Sequence, residues 1–220
     1  MELLEGIETR RSCRGFQSTP IKKEIIQQIL KAGGRSPSYT NTQPWEVAVV
    51  TGKKKDQLSE ILSVKSRAGE TPNADLPLPK IWPPALDTRA REHGARRFKA
   101  LGIDRANEQQ RKDMQLQNLE FYGAPCALFL FMEKGLPLWS IYDMGLFTEN
   151  LCLAARTFGL ETCLQASLVN YAEAVRDFLG LPNTKALVIG ISIGYPNWDA
   201  SLNGYHSTRM GLEEFTKWYE

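Results

Sequence analysis

Three guanidinium groups fall within five residues at Arg10-Arg11-Ser12-Cys13-Arg14, with a hydroxyl among them. Planar guanidiniums grip a phosphate dianion through paired N–H donors, so this run suits one, with Ser12 as a further donor. The same run also suits a solvated basic helix end, where positive charge meets the negative pole of the helix dipole. A second group, Ser36-Pro37-Ser38-Tyr39-Thr40-Asn41-Thr42-Gln43-Pro44-Trp45, crowds hydroxyl and amide side chains between a helix stop and a strand. Such a loop presents donors and acceptors to a flat polar heterocycle, although Ser, Asn and Pro populate turns in any case. Two more polar loops follow, Gly159-Leu160-Glu161-Thr162-Cys163-Leu164-Gln165-Ala166-Ser167 and Asn203-Gly204-Tyr205-His206-Ser207-Thr208-Arg209.

Other chemistries have little to draw on. The chain has 2 histidines, His93 and His206, and 4 widely separated cysteines, Cys13, Cys126, Cys152 and Cys163, with no C-x-x-C pair. Neither a metal site nor a redox dithiol is expected, and Cys13 and Cys163 read as small packing residues. Lys and Arg number 27 against 25 Asp and Glu, a net charge of +2, too nearly neutral for a chain whose main partner is nucleic acid. The basic stretch Arg89, Arg91, Arg96, Arg97 and Lys99 is interrupted by Asp87 and Glu92 and reads as a solvated helix face. No run approaches the ~20 apolar residues of a membrane helix; the longest is Ala124–Met132. The start, Met1-Glu2-Leu3-Leu4-Glu5, lacks the basic region of a secretory signal, and with the unpaired thiols this points to the cytoplasm.

The elements that must position these groups are legible in outline. Leu3, Leu4 and Ile7 predict a short helix ending near Thr9. Thr19-Pro20 reads as an N-cap with proline at the first helical position, opening a helix whose inward face is Ile21, Ile25, Ile26, Ile29 and Leu30 and which Gly33-Gly34 stops. Strands are expected at Trp45–Val50, Ala127–Phe131 and Ala186–Tyr195, and helices at Lys54–Ile61, Thr88–Ala100, Tyr142–Phe158 and, with Asn170 and Glu173 as a capping box, onward to Leu179. In the last strand Leu187, Ile189, Ile191 and Ile193 predict one apolar face, and Val188, Gly190, Ser192 and Gly194 a small one open to close approach. Residues 65–112 hold Pro72, Pro77, Pro79, Pro83 and Pro84 among the chain's 12 prolines and read as an insertion. Trp82 and Trp139 are candidates to cover a substrate channel, and Trp45 a core residue. With 220 residues, 42% hydrophobic, the chain reads as one elaborated α+β domain with a largely antiparallel or mixed central sheet.

The order of the four polar segments is more specific than any one of them. R-R-S-x-R, then S-P-S-x-x-N-x-Q-P-W, then Gly123-Ala124-Pro125 leading a strand, G-L-x-T-C-x-Q, and a late Arg209 together resemble the nitroreductase family of FMN-dependent flavoproteins. The resemblance runs from about residue 5 to 215, and within the family the insertion is most similar to the nitrobenzoate-reductase branch. It implies a three-layer α-β-α fold, a single domain over 1–220 with a lid-like insertion at about 65–112, and a homodimer with FMN at the subunit interface. Arg10, Arg11, Ser12 and Arg14 would hold the ribityl phosphate and the pyrimidine edge, Arg209 would complete the clamp, and His206 would stand beside the phosphate. Pro37, Ser38 and Asn41 would reach the partner's FMN, with Tyr39 and Gln43 nearby. Gln165, Ala166 and Ser167 would line the ring, with Gln117 and Asn118 as weaker candidates. The implied reaction is ping-pong hydride transfer from NAD(P)H to a nitroaromatic or quinone-type small molecule, with no side chain named as catalytic because water can deliver the proton. Alternatives within the resemblance are enone reduction, reductive dehalogenation or flavin fragmentation, and outside catalysis a flavin-binding protein.

Overall fold

One strand with apolar side chains on both faces organises the molecule. In the computed structural model, which describes residues 2–77 and 81–220, the sheet holds β1 (Glu46–Thr51), β2 (Cys126–Glu133), β3 (Glu161–Gln165) and β4 (Lys185–Gly194) in the order β1-β2-β4-β3. Met1 of the N-terminal reading and Pro79 of the proline-rich loop lie outside the described residues. β2 is buried along all but its last residue. Its alternate side chains feed two separate cores, as a strand covered on both sides requires. Leu128 and Leu130 pack with Ile26 and Ile29 of α2 (Lys23–Gly33) and with Met144, Phe147 and Leu151 of α6 (Leu138–Arg156). Phe129 and Phe131 pack with Leu58 and Leu62 of α3 (Gly52–Arg67), Leu119 of α5 (Glu108–Leu119) and Val175 of α7 (Ala172–Leu179). The result is the expected α-β-α layering. All named strand pairs are antiparallel, and the parallel component is a single bridge from Ser12 to Thr162 on the outer edge of β3.

Three sequence expectations shift. α2 begins at Lys23 with Lys22 as an extended N-cap, so Thr19-Pro20 stands in the preceding loop. α7 is capped at Tyr171 without a side-chain bond, and Glu173 accepts from Asn73 of the 65–112 region rather than closing a box with Asn170. β4 does not keep one apolar face. A bulge pairs Leu130 with Ile189 but Phe131 with Leu187, so Val188 is skipped. Leu187 therefore enters the α3 core while Ile191 and Ile193 enter the α6 core, because an extra residue inverts the alternation beyond it.

The close approach expected on the small face of β4 is present. A Cβ at Gly190 would lie 2.6 Å from Leu168 Cδ1, and one at Gly194 would lie 2.7 Å from Pro125 Cδ. Trp45 stacks on Phe147 at 4.9 Å between centroids, as a core residue should. Within the 65–112 region, α4 (Pro84–Ala100) carries the ion pairs Asp87–Arg91 and Glu92–Arg96 on its solvated side, while Arg97 is half-buried with its Nη2 enclosed. The loop before it is held by Asp75, which accepts from Arg176, from Lys134 at 3.1 Å and from the Leu187 amide at 2.9 Å.

Candidate functional site

The basic run sits where α1 (Leu3–Thr9) hands the chain to the edge of β3. Arg156, at the end of α6, fixes that exit by donating to Thr9 Oγ1 at 2.7 Å and to Glu161 at 3.0 Å. Burial pushes the Glu161 carboxyl up, against the pull of Arg156, and its Oε2 has no hydrogen-bond partner. The Cys13 amide then donates to the Thr162 carbonyl at 2.9 Å. Buried Asn203 locks the next turn: its Oδ1 accepts from the Arg14 amide at 2.6 Å, and its Nδ2 donates to the Gly15 carbonyl at 2.9 Å. Backbone bonds thus orient the segment, leaving its side chains to line space.

Arg10, Arg11, Ser12, Arg14 and Arg209 converge on one cavity of about 230 Å³, together with His93, Tyr205 and Ser207, and no carboxylate lines it. The arginines differ in their partners. Arg10 pairs with Glu149 at 2.9 Å, and Arg11 lies 4.2 Å over the Trp198 ring and donates to the His206 ring. Arg14 and Arg209 have no ion-pair partner among the described residues; Arg14 donates to the Ser12 carbonyl at 3.3 Å, and Arg209 to Ser207 Oγ at 2.7 Å. Four guanidiniums around a small acid-free cavity form a strong anion site. A larger cavity of about 740 Å³ adjoins it through Arg10, Arg11 and Arg209, with His206 on its wall.

β3 carries the chain from this pocket to the predicted ring-lining residues Gln165, Ala166 and Ser167. At roughly 3.3 Å per residue, Ala166 stands about 13 Å from Thr162. Ala166 is exposed there, and Ser167 Oγ is buried without a hydrogen-bond partner. Gln165, expected to line the ring, is buried, its amide donating to Asn118 Oδ1 and the Asn118 carbonyl at 2.6 Å and accepting from Ser192. It braces the strand end.

Pro37, Ser38, Tyr39, Asn41 and Gln43 are not brought to this pocket. Their loop lies against the start of α6, where buried Asp143 accepts from the Tyr39 amide at 3.1 and 3.2 Å. Ser38 Oγ accepts from the Gln43 amide at 3.0 Å, and Gln43 Nε2 donates to the Asn41 carbonyl at 3.3 Å. Thr40, Asn41 and Gln43 hold φ of 48°, 58° and 48°, a left-handed geometry that costs non-glycine residues energy and persists only where the surroundings enforce it. Exposed Tyr39 stacks on exposed Trp139 at 5.8 Å.

Sequence reasoning passed over His93, Tyr205, Asn203 and Asp143. Asn203 and Tyr205 stand inside the fourth polar segment, so a signal existed, whereas nothing local marks Asp143 or His93. Burial raises the Cys13 thiol to about 11, which suits packing.

The residues fit a flavin mononucleotide: an acid-free arginine cavity suits its phosphate, and an orphaned hydroxyl at Ser167 suits its polar ring edge. The family model described as "Nitroreductase family" matches residues 7–195. Nitroreductase NfnB of Mycolicibacterium smegmatis is 36% identical over 212 residues, covering 96% of this chain and 90% of that protein. The 4-nitrobenzoate reductase of Pseudomonas putida is 34% identical over 214 residues, covering 96% and 92%. The crystal structure of the FMN-dependent nitroreductase NfnB from Mycobacterium smegmatis in complex with NADPH superposes with a TM-score of 0.95 at 33% identity, covering 99% of this chain and 97% of that one. The arginine run, the strained polar loop and the β3 terminus are thus the features of a chain that belongs to the nitroreductase family.

Proposed function

We propose that the chain is an FMN-dependent oxidoreductase that takes reducing equivalents from NAD(P)H and reduces small nitroaromatic or quinone-type acceptors. The observation that carries this reading is the acid-free cavity closed by Arg10, Arg11, Ser12, Arg14 and Arg209. Relatives described as a 4-nitrobenzoate reductase and as an NADPH-bound FMN enzyme support the acceptor class and the donor. Bound flavin would supply reversible two-electron chemistry that no side chain offers. The arginines would hold its phosphate with His206 alongside, and the surplus positive charge would favour an anionic reduced ring. Ala166 and Ser167 would face the ring, while Gln165 fixes the strand end that carries them. No side chain is assigned as an obligatory acid, because solvent reaches the exposed Ala166 side of β3 and can provide the proton.

The remaining assignments belong to the same reading. Residues 1–220 form one domain, and the 65–112 region serves as its lid; the cavity of about 620 Å³ between α4 and residues 207–214, with Trp82 on its wall, supports that role. Two copies associate so that the Pro37–Gln43 loop of each serves the other's flavin, a role that suits a strained polar loop set apart from the arginine cavity of its own protomer. Four buried free thiols support a cytoplasmic setting; no described helix is long and apolar enough to cross a membrane.

Absorbance spectroscopy with anaerobic NADPH tests the reading. The expected result is a yellow protein whose flavin band bleaches with NADPH and returns with 4-nitrobenzoate. A protein that takes up no FMN in excess overturns the cofactor, and one that binds FMN without bleaching is a flavin carrier.

A further inference from the structure

Helix α4 touches the anion pocket through His93. The ring lines the cavity beside Arg14 and Arg209, and its Nδ1 lies 3.0 Å from the Tyr205 hydroxyl, with the two rings tilted at 59°. Among the described residues, the other side-chain hydrogen bond from α4 to the C-terminal segment runs from Arg96 to Thr208 Oγ1 at 3.3 Å. We propose that His93 is a fifth cationic member of the phosphate pocket, taking up one proton as a phosphate monoester enters and so latching α4 over the bound cofactor. This rests on the phosphate pocket assigned above.

The charges facing His93 set the direction. Arg96 and Arg97 come from α4 itself, Arg14 from the run after α1, and Arg209 from the C-terminal segment, while Glu92 is engaged by Arg96. Partial burial and these cations hold the imidazole below its ordinary range, so it is neutral in the free pocket. A phosphate monoester brings a charge near −2, which offsets part of this positive field and favours the protonated ring. In the neutral ring Nδ1 accepts the Tyr205 O–H. After protonation Nδ1–H donates to the Tyr205 oxygen, which frees the phenolic proton to donate into the pocket. The balance is one proton taken from solvent, with no other bond changed. The hydrogen bond between α4 and the C-terminal segment then becomes charge-assisted and stronger.

Calorimetric titration of the apo-protein with FMN at pH 7.5, in buffers of different ionisation enthalpy, counts the protons bound. At that pH the phosphate is already a dianion, since its second pKa is about 6. The expected result is uptake of a measurable fraction of one proton per FMN in the wild type, none with riboflavin and none in His93→Gln. Hydrogen exchange across α4 should slow on FMN binding in the wild type and not in His93→Gln. Equal uptake in wild type and His93→Gln overturns the inference while leaving the phosphate pocket standing. Failure of the wild type to bind FMN overturns the pocket itself.

Discussion

The arginines of the pocket are unequal in what they have left to offer an anion. Arg10 already answers Glu149, and Arg11 is stacked on Trp198, whereas among the described residues Arg14 and Arg209 bond only to backbone carbonyls and one hydroxyl of neighbouring residues. Arg14→Ala and Arg209→Ala should therefore each weaken FMN binding by about 1.5–3 kcal/mol, the range for hydrogen bonds to charged groups, or roughly ten- to over a hundredfold in Kd. Flavin fluorescence titration measures this, and unchanged affinity in both variants removes the pocket from the cofactor site. Asp75 illustrates the opposite case, a charge fully engaged. Burial raises its carboxyl, but the Leu187 amide, Lys134 and Arg176 more than offset this and hold it below the usual range. A folded value below the unfolded one means that the unfolded state binds the proton more readily. The stabilisation is thus complete above the unfolded carboxylate range near pH 3.9 and is lost as pH falls through the folded value. Asp75→Asn leaves buried Arg176 without its counter-charge, a loss of about 3–5 kcal/mol at pH 7 and roughly 6–20 °C in Tm for a chain of this length. Thermal melts at pH 7 and pH 3 should show the deficit shrinking in acid.

At the scale of elements, the end of β3 depends on a glycine of the neighbouring strand, Gly190, which pairs with Gln165. The turn at residues 166–169 reaches β4 through Leu168, which sits where a Gly190 side chain would be. Gly190→Ala forces a contact that backbone or Leu168 must relieve, costing about 1–3 kcal/mol as overpacking does. It should also lower FMN affinity, because the displaced turn carries Ala166 and Ser167; melts paired with FMN titration separate the two effects. This dependence shows what was readable in the chain. Helix faces and strands were, because periodicity is local: Ile26 and Ile29 point inward as their spacing demands. The bulge at Val188 was not, since it is set by how β2 must feed two cores at once. The arginine run was legible because its chemistry is contained in five residues. The bonds that engage the Gln165 amide were not legible, because its partners, Asn118 and Ser192, are distant in sequence. His93 and Tyr205 meet across 112 residues, beyond any motif.

At the scale of the whole molecule, the protomer leaves an aromatic patch unaccounted for. Trp139, Tyr142 and Tyr39 are 59%, 62% and 58% exposed and contact one another, with Leu138 beside them at 85%. Clustered exposed apolar side chains of this kind mark an association surface. The patch is continuous with the strained Pro37–Gln43 loop through the Tyr39–Trp139 stack, so association would both cover the aromatics and immobilise that loop. A second copy of the chain satisfies both demands, and if each loop completes the opposite site, subunit association and FMN retention must fail together. Trp139→Asp places a charge in the patch and removes the stack without touching either core. Sedimentation velocity should show the variant shifted from dimer to monomer at micromolar concentration, with unchanged helical circular dichroism and FMN lost on gel filtration. A monomer that keeps its flavin would separate the two, confining the loop to its own protomer and leaving the arginine pocket sufficient for binding.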